Sequence, residues 1–316
     1  PARRRTRTNF PMKLSKTDYR GGEALQLSTS ALELVVPTQV GPRVTSLRSR
    51  RGSAGNLFLE FPADEQRYHG YYLRGGHRLW HSPEDIVRTY QPDDAPPALK
   101  VLPKGISLVQ PVEQLTGLQK GMRLELLGER TIKVTHTLAN RGAWPVTCAP
   151  WALTMFPAGG YGVLSLHPKG DHARGDLLPT YSLVPWTFTD LSQPTWQARR
   201  DFIGIDVARA KSAQKLGITN YPGWSAYWRR GTTFVKYATP IAGATYPDLG
   251  SCFEVFTNGN MLELETLGPL APLAPGKTTT HIEYWTVLDG LPKPSSDAVF
   301  AKTLAPAVRR WLATIR

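Results

Sequence analysis

Apolar and polar residues alternate with a period of two through most of the chain between Leu25 and Asp289. This is the period of a β-strand with one buried face, and the 28 glycines and 27 prolines interrupt it as turns do. No repeat of fixed length indicates a propeller or a solenoid. The pattern predicts an all-β fold, a large antiparallel sandwich, with strands at Leu25–Val36, Met122–Leu127, Thr131–Leu138, Thr147–Met155, Thr232–Tyr237, Cys252–Thr257, Met261–Leu267 and Thr278–Leu288.

Two segments depart from the strand pattern. Residues 157–222 are richer in glycine, proline and polar residues, which predicts long loops that cross one face of a sheet. Near the C-terminus, apolar residues recur every four positions, which predicts a helix over Ser296–Ile315. Ser296 or Asp297 can cap this helix, and Pro306 is expected to kink or divide it. The residues with helical spacing are Phe300, Leu304, Val308 and Leu312.

Composition adds limits to the fold. Apolar residues make up 41% of the 316 positions, enough for a sizeable core, and no window approaches the roughly 18 apolar residues of a membrane helix. We expect a soluble protein without a membrane partner. Residues 1–11 lack a hydrophobic pattern and precede Met12, so they are interpreted as a tail, a tag remnant or an over-long gene prediction. Residues 12–316 are then a single β-sandwich domain.

The formal charge of +13 raises the question of nucleic-acid binding. Four of these charges lie in the N-terminal segment, and the remaining basic residues are scattered among acids. No helix-turn-helix, zinc-finger or RNA-binding signature is present, so a solvated basic surface is the preferred interpretation. A weaker functional alternative is that the charge attracts an anionic sugar. The four N-terminal charges are Arg3, Arg4, Arg5 and Arg7.

Two cysteines cannot form a disulfide framework in a chain of this length. Cys148 and Cys252 each lie in an apolar strand-like run, so both are expected to be buried free thiols. This usage is typical of the reducing cytoplasm. The sequence leaves the oligomeric state open.

The most informative local feature is a predicted hairpin over residues 251–269. Asn258-Gly259 is the strongest short-range signal for a type I′ turn. Such a turn would place Glu254 opposite Glu263, and Glu265 would lie on the same sheet face as both.

Three neighbouring carboxylates repel one another, so something must offset the repulsion. Either cations from elsewhere reach them, or one carboxyl keeps its proton, or a metal binds. The alternative is a solvated face with lysines and arginines on adjacent strands. Phe256 and Met261 share the face and favour a buried cleft.

The residues MLELETLGPLAPLAPGKTTTHIEYWTVL, from Met261, resemble the C-terminal signature of aldose 1-epimerases and hexose-6-phosphate mutarotases. These enzymes belong to the galactose mutarotase-like superfamily, whose fold is a large antiparallel β-supersandwich. Glu265 matches the position of the catalytic base. In that family the glutamate takes the proton of the anomeric hydroxyl while a histidine protonates the ring oxygen, and no cofactor takes part.

A second stretch, YLRGGHRLWHSPED at 72–85, resembles the segment that lines the sugar pocket in these enzymes. The resemblance implies His77 as the acid. Arg74 and Arg78 would bind hydroxyl or anionic groups, Trp80 would stack on a sugar face, and two glycines would let the backbone approach the ligand. The alternative is a turn with His77 hydrogen-bonded locally and Trp80 in the core.

A third stretch, HTLANRGAWPVTCAPWALTMFPAGG from His136, resembles a family strand–turn–strand unit, with one departure. Trp151 stands where aldose 1-epimerases have a histidine after the Pro-Val. His136 does not replace it, because it alternates with Ile132, Val134 and Leu138 on an apolar face and is interpreted as a core histidine.

Other candidates are weaker. His167 and His172 lie on a glycine-rich loop with Asp171 and Asp176, but no zinc-ligand spacing is present and no metal is predicted. His281 is interpreted as structural. The aromatic run YPGWSAYWRR is either a core strand or a sugar platform.

The sequence therefore favours a carbohydrate-active protein that binds a small sugar. The first hypothesis is a cofactor-independent mutarotase-like isomerase with Glu265 as base and His77 as acid, in which Arg74, Arg78, Trp80, Trp151, Glu254 and Glu263 hold the sugar. The second is a non-catalytic carbohydrate-binding protein, motivated by Trp151 at the histidine position. The third is a lyase or hydrolase acting on an acidic saccharide through His77 and Arg78.

Overall fold

A computed structural model of the chain describes residues 10–63 and 67–315. The strands are β1 (Lys13–Tyr19), β2 (Gly22–Ser28), β3 (Leu32–Pro37), β4 (Arg43–Val44), β5 (Ser46–Ser49), β6 (His77–Ser82), β7 (Ala98–Leu102), β8 (Gly105–Val109), β9 (Leu118–Leu126), β10 (Thr131–Asn140), β11 (Val146–Pro157), β12 (Tyr161–Ser165), β13 (Leu183–Pro185), β14 (Trp196–Ala198), β15 (Phe202–Asp206), β16 (Gln214–Ile218), β17 (Trp224–Arg229), β18 (Thr232–Tyr237), β19 (Phe253–Thr257), β20 (Met261–Leu267), β21 (Ala271–Leu273) and β22 (Thr278–Asp289). The helical segments are α1 (Pro247–Gly250), a single turn whose Asp248 and Leu249 have left-handed backbone angles, α2 (Asp297–Lys302) and α3 (Leu304–Ile315).

Within the described residues these strands form three antiparallel sheets. The largest has the order β14-β15-β12-β17-β18-β22-β10-β9-β8-β7, and the second has the order β13-β16-β19-β20-β11-β6-β4 with β21 paired to β11. A smaller sheet has the order β1-β2-β3-β5. The predicted all-β sandwich is confirmed.

The main core lies between the two large sheets. Phe156 from the eight-stranded sheet and Phe234 and Trp285 from the ten-stranded sheet all contact the ring of Phe58 edge-on, with centroids 5.7–5.8 Å apart. Such edge-to-face contacts add to the free energy gained by burying the rings. Phe10 also belongs to this core, ahead of the predicted domain start at residue 12, whereas residues 1–9 lie outside the described residues.

A cluster of polar groups is also buried between the two sheets. The Glu283 carboxylate accepts a hydrogen bond from Trp285 Nε1 at 2.8 Å and pairs with Lys236 Nζ at 2.8 Å. Lys236 also donates to two backbone carbonyls of the opposite sheet, at 3.0 and 3.2 Å. His77 Nε2 lies 2.8 Å from His136 Nε2, so one of these nitrogens donates to the other. The cluster joins the sheets by hydrogen bonds that also satisfy most of its buried polar atoms.

Predicted strands and observed strands agree in most of the chain, with one division. The predicted run Leu25–Val36 forms two strands, β2 and β3, because the Thr29 hydroxyl accepts hydrogen bonds from the backbone of Ala31 and Leu32 and turns the chain.

His136 is a core histidine, as the alternation of β10 predicted. Both cysteines are buried free thiols, and burial raises the pKa of Cys148 to about 11.

The C-terminal helix is divided as Pro306 predicted. Ser296 caps α2 by accepting a hydrogen bond from the Val299 backbone, and the break falls at Thr303. Pro306 then lies in the first turn of α3, where a missing N–H costs little. Both helices pack on the outer face of the ten-stranded sheet through Phe300, Leu304, Val308 and Trp311.

None of the helices in the described part of the chain is long and apolar enough to cross a membrane.

Because His136 and His281 are buried, the free energy of unfolding should fall as the solution becomes more acidic. Burial lowers the pKa of His136 to about 4 and of His281 to about 3, whereas an unfolded histidine titrates near 6.5. Between the folded and unfolded pKa values, the unfolded chain therefore binds more protons than the folded one. The free energy of unfolding then decreases as pH falls from about 6.5 towards 4, by up to about 1.4 kcal/mol per pH unit for each such histidine. Urea unfolding at a series of pH values measures this slope.

The variant His281→Gln should reduce that slope, and the exposed-loop variant His172→Gln should not. A slope that His281→Gln leaves unchanged would contradict the assignment of His281 as a neutral buried group.

Candidate functional site

The β19–β20 hairpin sets the positions of the three predicted glutamates. Thr257 pairs with Leu262, and the Thr257 hydroxyl donates to the Met261 carbonyl at 2.7 Å, so the connection is longer than the predicted two-residue turn. The register is therefore shifted by two residues, and Glu254 lies opposite Glu265 instead of Glu263. Because side chains alternate with a period of two, a two-residue shift keeps all three glutamates on the predicted face.

This face of the eight-stranded sheet, on the side away from the main core, forms the floor of a cavity of about 380 Å³. Adjacent strands β16, β19, β20, β11 and β6 each supply lining side chains, since same-face positions align across their registers. The lining is rich in aromatic rings. The lining residues are Tyr68, Leu73, Arg78, Trp80, Glu84, Tyr90, Trp151, Leu153, Trp186, Phe188, Lys215, Phe256, Asn258, Met261, Glu263 and Glu265.

Lys215 supplies the cation that the glutamates require. Its Nζ lies 2.7 Å from Glu254 Oε2 and 3.0 Å from Glu265 Oε2, and it lies over the rings of Trp151 and Trp186 at 4.5 and 4.7 Å. Burial alone would lower the pKa of the Lys215 ammonium, but the two carboxyl groups outweigh it and raise the pKa. Lys215 is therefore charged in this site.

The two carboxyl groups beside Lys215 differ in their surroundings. Burial is the largest influence on Glu254 and raises its pKa well above the ordinary value, although Lys215 acts in the opposite direction. Glu265 Oε2 accepts a hydrogen bond from Trp151 Nε1 at 2.8 Å in addition to the Lys215 contact, and both donors stabilise its carboxylate. The trio is electrically neutral when Glu254 keeps its proton and Glu265 and Lys215 are charged.

Arg78 pairs with the third glutamate. Its Nη2 donates to Glu263 Oε1 at 3.1 Å, and its guanidinium stacks on Trp80 at 4.0 Å. Burial raises the pKa of Glu263, and Glu265 adds to this effect while Arg78 opposes it. Glu263 thus holds its proton more readily than an exposed glutamate does.

Several buried polar atoms around the cavity have no hydrogen-bond partner among the described residues. Among the lining residues they are Glu265 Oε1, Arg78 Nε, Arg78 Nη1 and Trp80 Nε1. Buried polar atoms are normally paired, so unpaired donors and acceptors at a cavity are suited to bind the polar groups of a ligand.

The structure corrects the assignment of His77 as the acid of this site. His77 and Arg78 are neighbours on β6 and therefore point to opposite faces of the sheet. His77 is fully buried on the core side, where its Nδ1 lies 2.9 Å from Thr154 Oγ1. Burial lowers its pKa well below the ordinary value, which keeps it neutral.

Two further expectations for the 72–85 segment are wrong. Arg74 is not among the cavity-lining residues, because it pairs with Asp93 at 2.8 Å and with Asp94. The two glycines approach protein backbone and not a ligand, since a Cβ on Gly75 would lie 2.1 Å from the Leu59 carbonyl oxygen and one on Gly76 would lie 2.2 Å from the Val44 carbonyl oxygen.

Glu254, on β19, also does not line the cavity but lies behind Lys215.

Sequence reasoning missed Lys215, Trp186 and Phe188. All three come from the glycine- and proline-rich stretch 157–222, whose composition predicts loops. A lone lysine in the apolar run Gln214–Ile218, together with the need to offset the glutamates, was the available signal for Lys215. The aromatic run at 221–230 proves to belong to the ten-stranded sheet, where Trp224 packs against Phe300 of α2.

The histidines outside this cavity do not form a better candidate site. In the described part of the chain, the three side chains close enough to bind a metal together are His77, His136 and Glu283, and the His167–His172 loop provides no such group. Lys236 already balances the charge of Glu283, so a divalent cation there would leave positive charge buried without compensation.

The arrangement of Lys215, Glu254 and Glu265 predicts that two substitutions change the free energy of unfolding by very different amounts. Lys215→Met leaves the buried Glu265 carboxylate without its cation and should lower the free energy of unfolding by about 3–5 kcal/mol. Glu254→Gln places an amide where a neutral carboxyl stands and should change it by less than about 1 kcal/mol. Urea unfolding at pH 7 measures both, with Lys211→Met on an exposed position as the control. Equal losses for the two buried variants would mean that Glu254 is ionised.

No protein-family model and no curated protein matches the sequence. Among solved structures, a candidate aldose 1-epimerase of Klebsiella pneumoniae is 11% identical, with a TM-score of 0.60 over 93% of this chain and 88% of its own. A galactose mutarotase-like protein of Clostridium acetobutylicum is 9% identical, with a TM-score of 0.57 over 88% of this chain and 99% of its own. A TPR-domain containing protein of Parabacteroides distasonis is 14% identical, with a TM-score of 0.58 over 87% of this chain, which spans 48% of that protein. The chain has the fold of galactose mutarotase-like and aldose 1-epimerase proteins.

Proposed function

We propose that this protein is a cofactor-independent, aldose 1-epimerase-like isomerase that interconverts the anomers of a sugar. The observation that carries the proposal is the state of Glu265. Its Oε2 is held by Lys215 and Trp151, while its Oε1 is buried at an aromatic cavity without a partner among the described residues. A carboxylate fixed by one oxygen and free at the other is suited to accept a proton from a bound hydroxyl.

The cavity walls are suited to a sugar ring. Aromatic faces pack against the C–H faces of a sugar, and Trp80, Trp151 and Trp186 all line the cavity. Arg78 Nε, Arg78 Nη1 and Trp80 Nε1 are unpaired donors that would hold hydroxyl oxygens. A cavity of this size, mostly apolar with a few fixed polar groups, is typical of a small-molecule site.

Charge favours a neutral sugar over the anionic one that the basic composition suggested. The ionisable side chains lining the cavity are two cations, Arg78 and Lys215, and three glutamates, Glu84, Glu263 and Glu265. When Glu263 holds its proton, the two cations are balanced by Glu84 and Glu265, so the lining carries no net charge that would attract an anionic group. The hypothesis of a lyase or hydrolase on acidic saccharides also loses its base, because His77 faces the core.

The proposed reaction begins at the anomeric hydroxyl. Glu265 Oε1 takes the proton from O1, the O1 electrons form the C1=O double bond, and the bond from C1 to the ring oxygen breaks. The ring oxygen takes a proton, and the open chain rotates about the C1–C2 bond. The reverse steps close the ring with the other configuration at C1, so no electrons or atoms are gained or lost.

The proton for the ring oxygen is assigned to Glu263. It lies two residues from Glu265 on the same face of β20, and burial raises its pKa so that it holds a proton more readily than an exposed glutamate. A pair of carboxyl groups in different environments can thus divide the roles of base and acid. Trp151, at the position where the resembling enzymes have histidine, acts instead by orienting Glu265.

One observation supports a second candidate function, a carbohydrate-binding protein without turnover. Glu263 and Glu265 are both engaged by cations, at 3.1 and 3.0 Å, and no histidine lines the main cavity in the described part of the chain. Ion pairing of this kind orients groups for binding without any proton transfer. Saturable binding with no acceleration of anomer exchange would favour this candidate.

Glu265→Gln should remove the catalysed reaction, because an amide oxygen is a far weaker base than a carboxylate. We expect a loss of about 10²–10⁴-fold in the rate above the spontaneous background. Two-dimensional NMR exchange between α and β anomers of glucose, galactose and mannose measures the rate. Glu125→Gln, on the other large sheet, is the matched control and should retain the wild-type rate. Equal rates for wild type and Glu265→Gln, both at background, would reject the isomerase.

The pH profile tests the assignment of the acid. The rate of anomer exchange should fall at alkaline pH as Glu263 loses its proton. Because burial raises the pKa of Glu263, this fall should occur above the pH range in which an exposed glutamate titrates. Glu263→Gln should abolish this alkaline limb together with most of the rate, while sugar binding measured by calorimetry persists. An alkaline limb that survives in Glu263→Gln would assign the acid to another group.

A further inference from the structure

A second cavity, of about 360 Å³, adjoins the first. Four residues belong to this outer cavity and not to the inner one described above. They are His69, Pro83, Ile86 and Asp248. Six lining residues are common to both cavities, so the two form one continuous cleft. The shared residues are Tyr68, Glu84, Tyr90, Trp151, Trp186 and Lys215.

Aromatic rings continue along the cleft from the inner cavity to the outer one. Trp80 contacts Trp151 and Tyr90 with ring centroids 5.6 and 4.8 Å apart. Tyr90 contacts Tyr68 at 5.2 Å and His69 at 5.3 Å, and Tyr68 contacts His69 at 4.4 Å. Each ring offers a face or an edge to apolar ligand surface, so the wall can contact successive sugar rings.

The outer cavity also has fixed hydrogen-bond acceptors. Ser82 Oγ donates to Asp248 Oδ2 at 3.1 Å, and the Tyr90 hydroxyl donates to Glu84 Oε1. Each carboxyl group keeps a second oxygen that can accept from ligand hydroxyls. Glu84 and Asp248 outnumber the one cation that lines this cavity, Lys215, which favours a hydroxyl-rich neutral ligand over an anionic one.

The backbone beside Asp248 has an unfavourable conformation. Asp248 and Leu249 have φ of 50° and 59°, in the left-handed region that leucine rarely adopts. Leu249 is 87% exposed, so burial of its side chain does not account for the conformation. The turn holds Asp248 at the outer cavity, and strained residues of this kind often occur at ligand sites.

We propose that the cleft binds a neutral saccharide of at least two rings. The reducing-end ring lies in the inner cavity with its anomeric carbon at Glu265, and the next ring lies in the outer cavity against Tyr68, Tyr90 and Trp186. This assignment of the substrate class rests on the proposed function of the inner cavity. A single ring placed at Glu265 would leave the outer aromatic wall and Asp248 without contacts.

Calorimetric titration of the full chain tests the proposal with three pairs of probes: glucose and cellobiose, galactose and β-1,4-galactobiose, and mannose and β-1,4-mannobiose. For at least one pair, the disaccharide should bind about tenfold or more tightly than its monosaccharide. Ile86→Trp places a large ring at the outer cavity and should remove this difference without changing the affinity for the monosaccharide. Val87→Trp is the matched control, because Val87 is as exposed as Ile86, at 61%, but does not line either cavity.

The outcomes separate the two proposals. Equal affinity for every disaccharide and its monosaccharide would overturn the two-ring assignment and leave the inner sugar site standing. A disaccharide advantage that survives Ile86→Trp would also overturn it, because the second ring would then lie elsewhere. Binding of none of the six probes would reject both the two-ring assignment and the sugar-binding function.

Discussion

The site depends on one buried cation between two carboxyl groups. Glu254 and Glu265 are directly opposed on neighbouring strands, a pairing that is unfavourable for like charges. Lys215, reaching from the next strand, lies within 3.0 Å of both and balances the charge of Glu265, while burial favours the protonated form of Glu254, so the two groups do not face each other as like charges. The same contact holds Oε2 of Glu265, while Oε1 is buried and has no hydrogen-bond partner among the described residues. Stability of the sheet and orientation of the proposed base are therefore consequences of the same ion.

The eight-stranded sheet separates two kinds of chemistry by the alternation of its side chains. On β6, Arg78 and Trp80 face the cavity while His77 faces the core. On β20, Glu265 faces the cavity while Thr266, its neighbour in the chain, joins the core cluster by a hydrogen bond to His281 at 2.8 Å. The core cluster stabilises the contact between the sheets, and the cavity side is left to bind a ligand. A shift of one residue in either strand would exchange these roles.

This alternation explains what sequence could and could not predict. The strands of the β19–β20 region and the common face of three glutamates followed from period-two patterns, and the two-residue register error did not change the face. The assignment of His77 failed because the chain is a strand from His77 onwards, so His77 and Arg78 face opposite sides of the sheet. Lys215 could not be located, because its partners are 39 and 50 residues away in the chain and only tertiary structure brings them together. The need to offset the repulsion was predictable, with a cation, a retained proton or a metal as the alternatives, whereas the residue that meets it was not.

The most direct test of the account is a crystal structure of the protein soaked with the tightest-binding saccharide. We expect a sugar ring against Trp80, Trp151 and Trp186, with its O1 about 2.6–3.2 Å from Glu265 Oε1 and its ring oxygen within hydrogen-bond reach of Glu263. A saccharide bound with its anomeric carbon far from Glu265, or bound outside the cleft altogether, would contradict the assignment of Glu265 as the base.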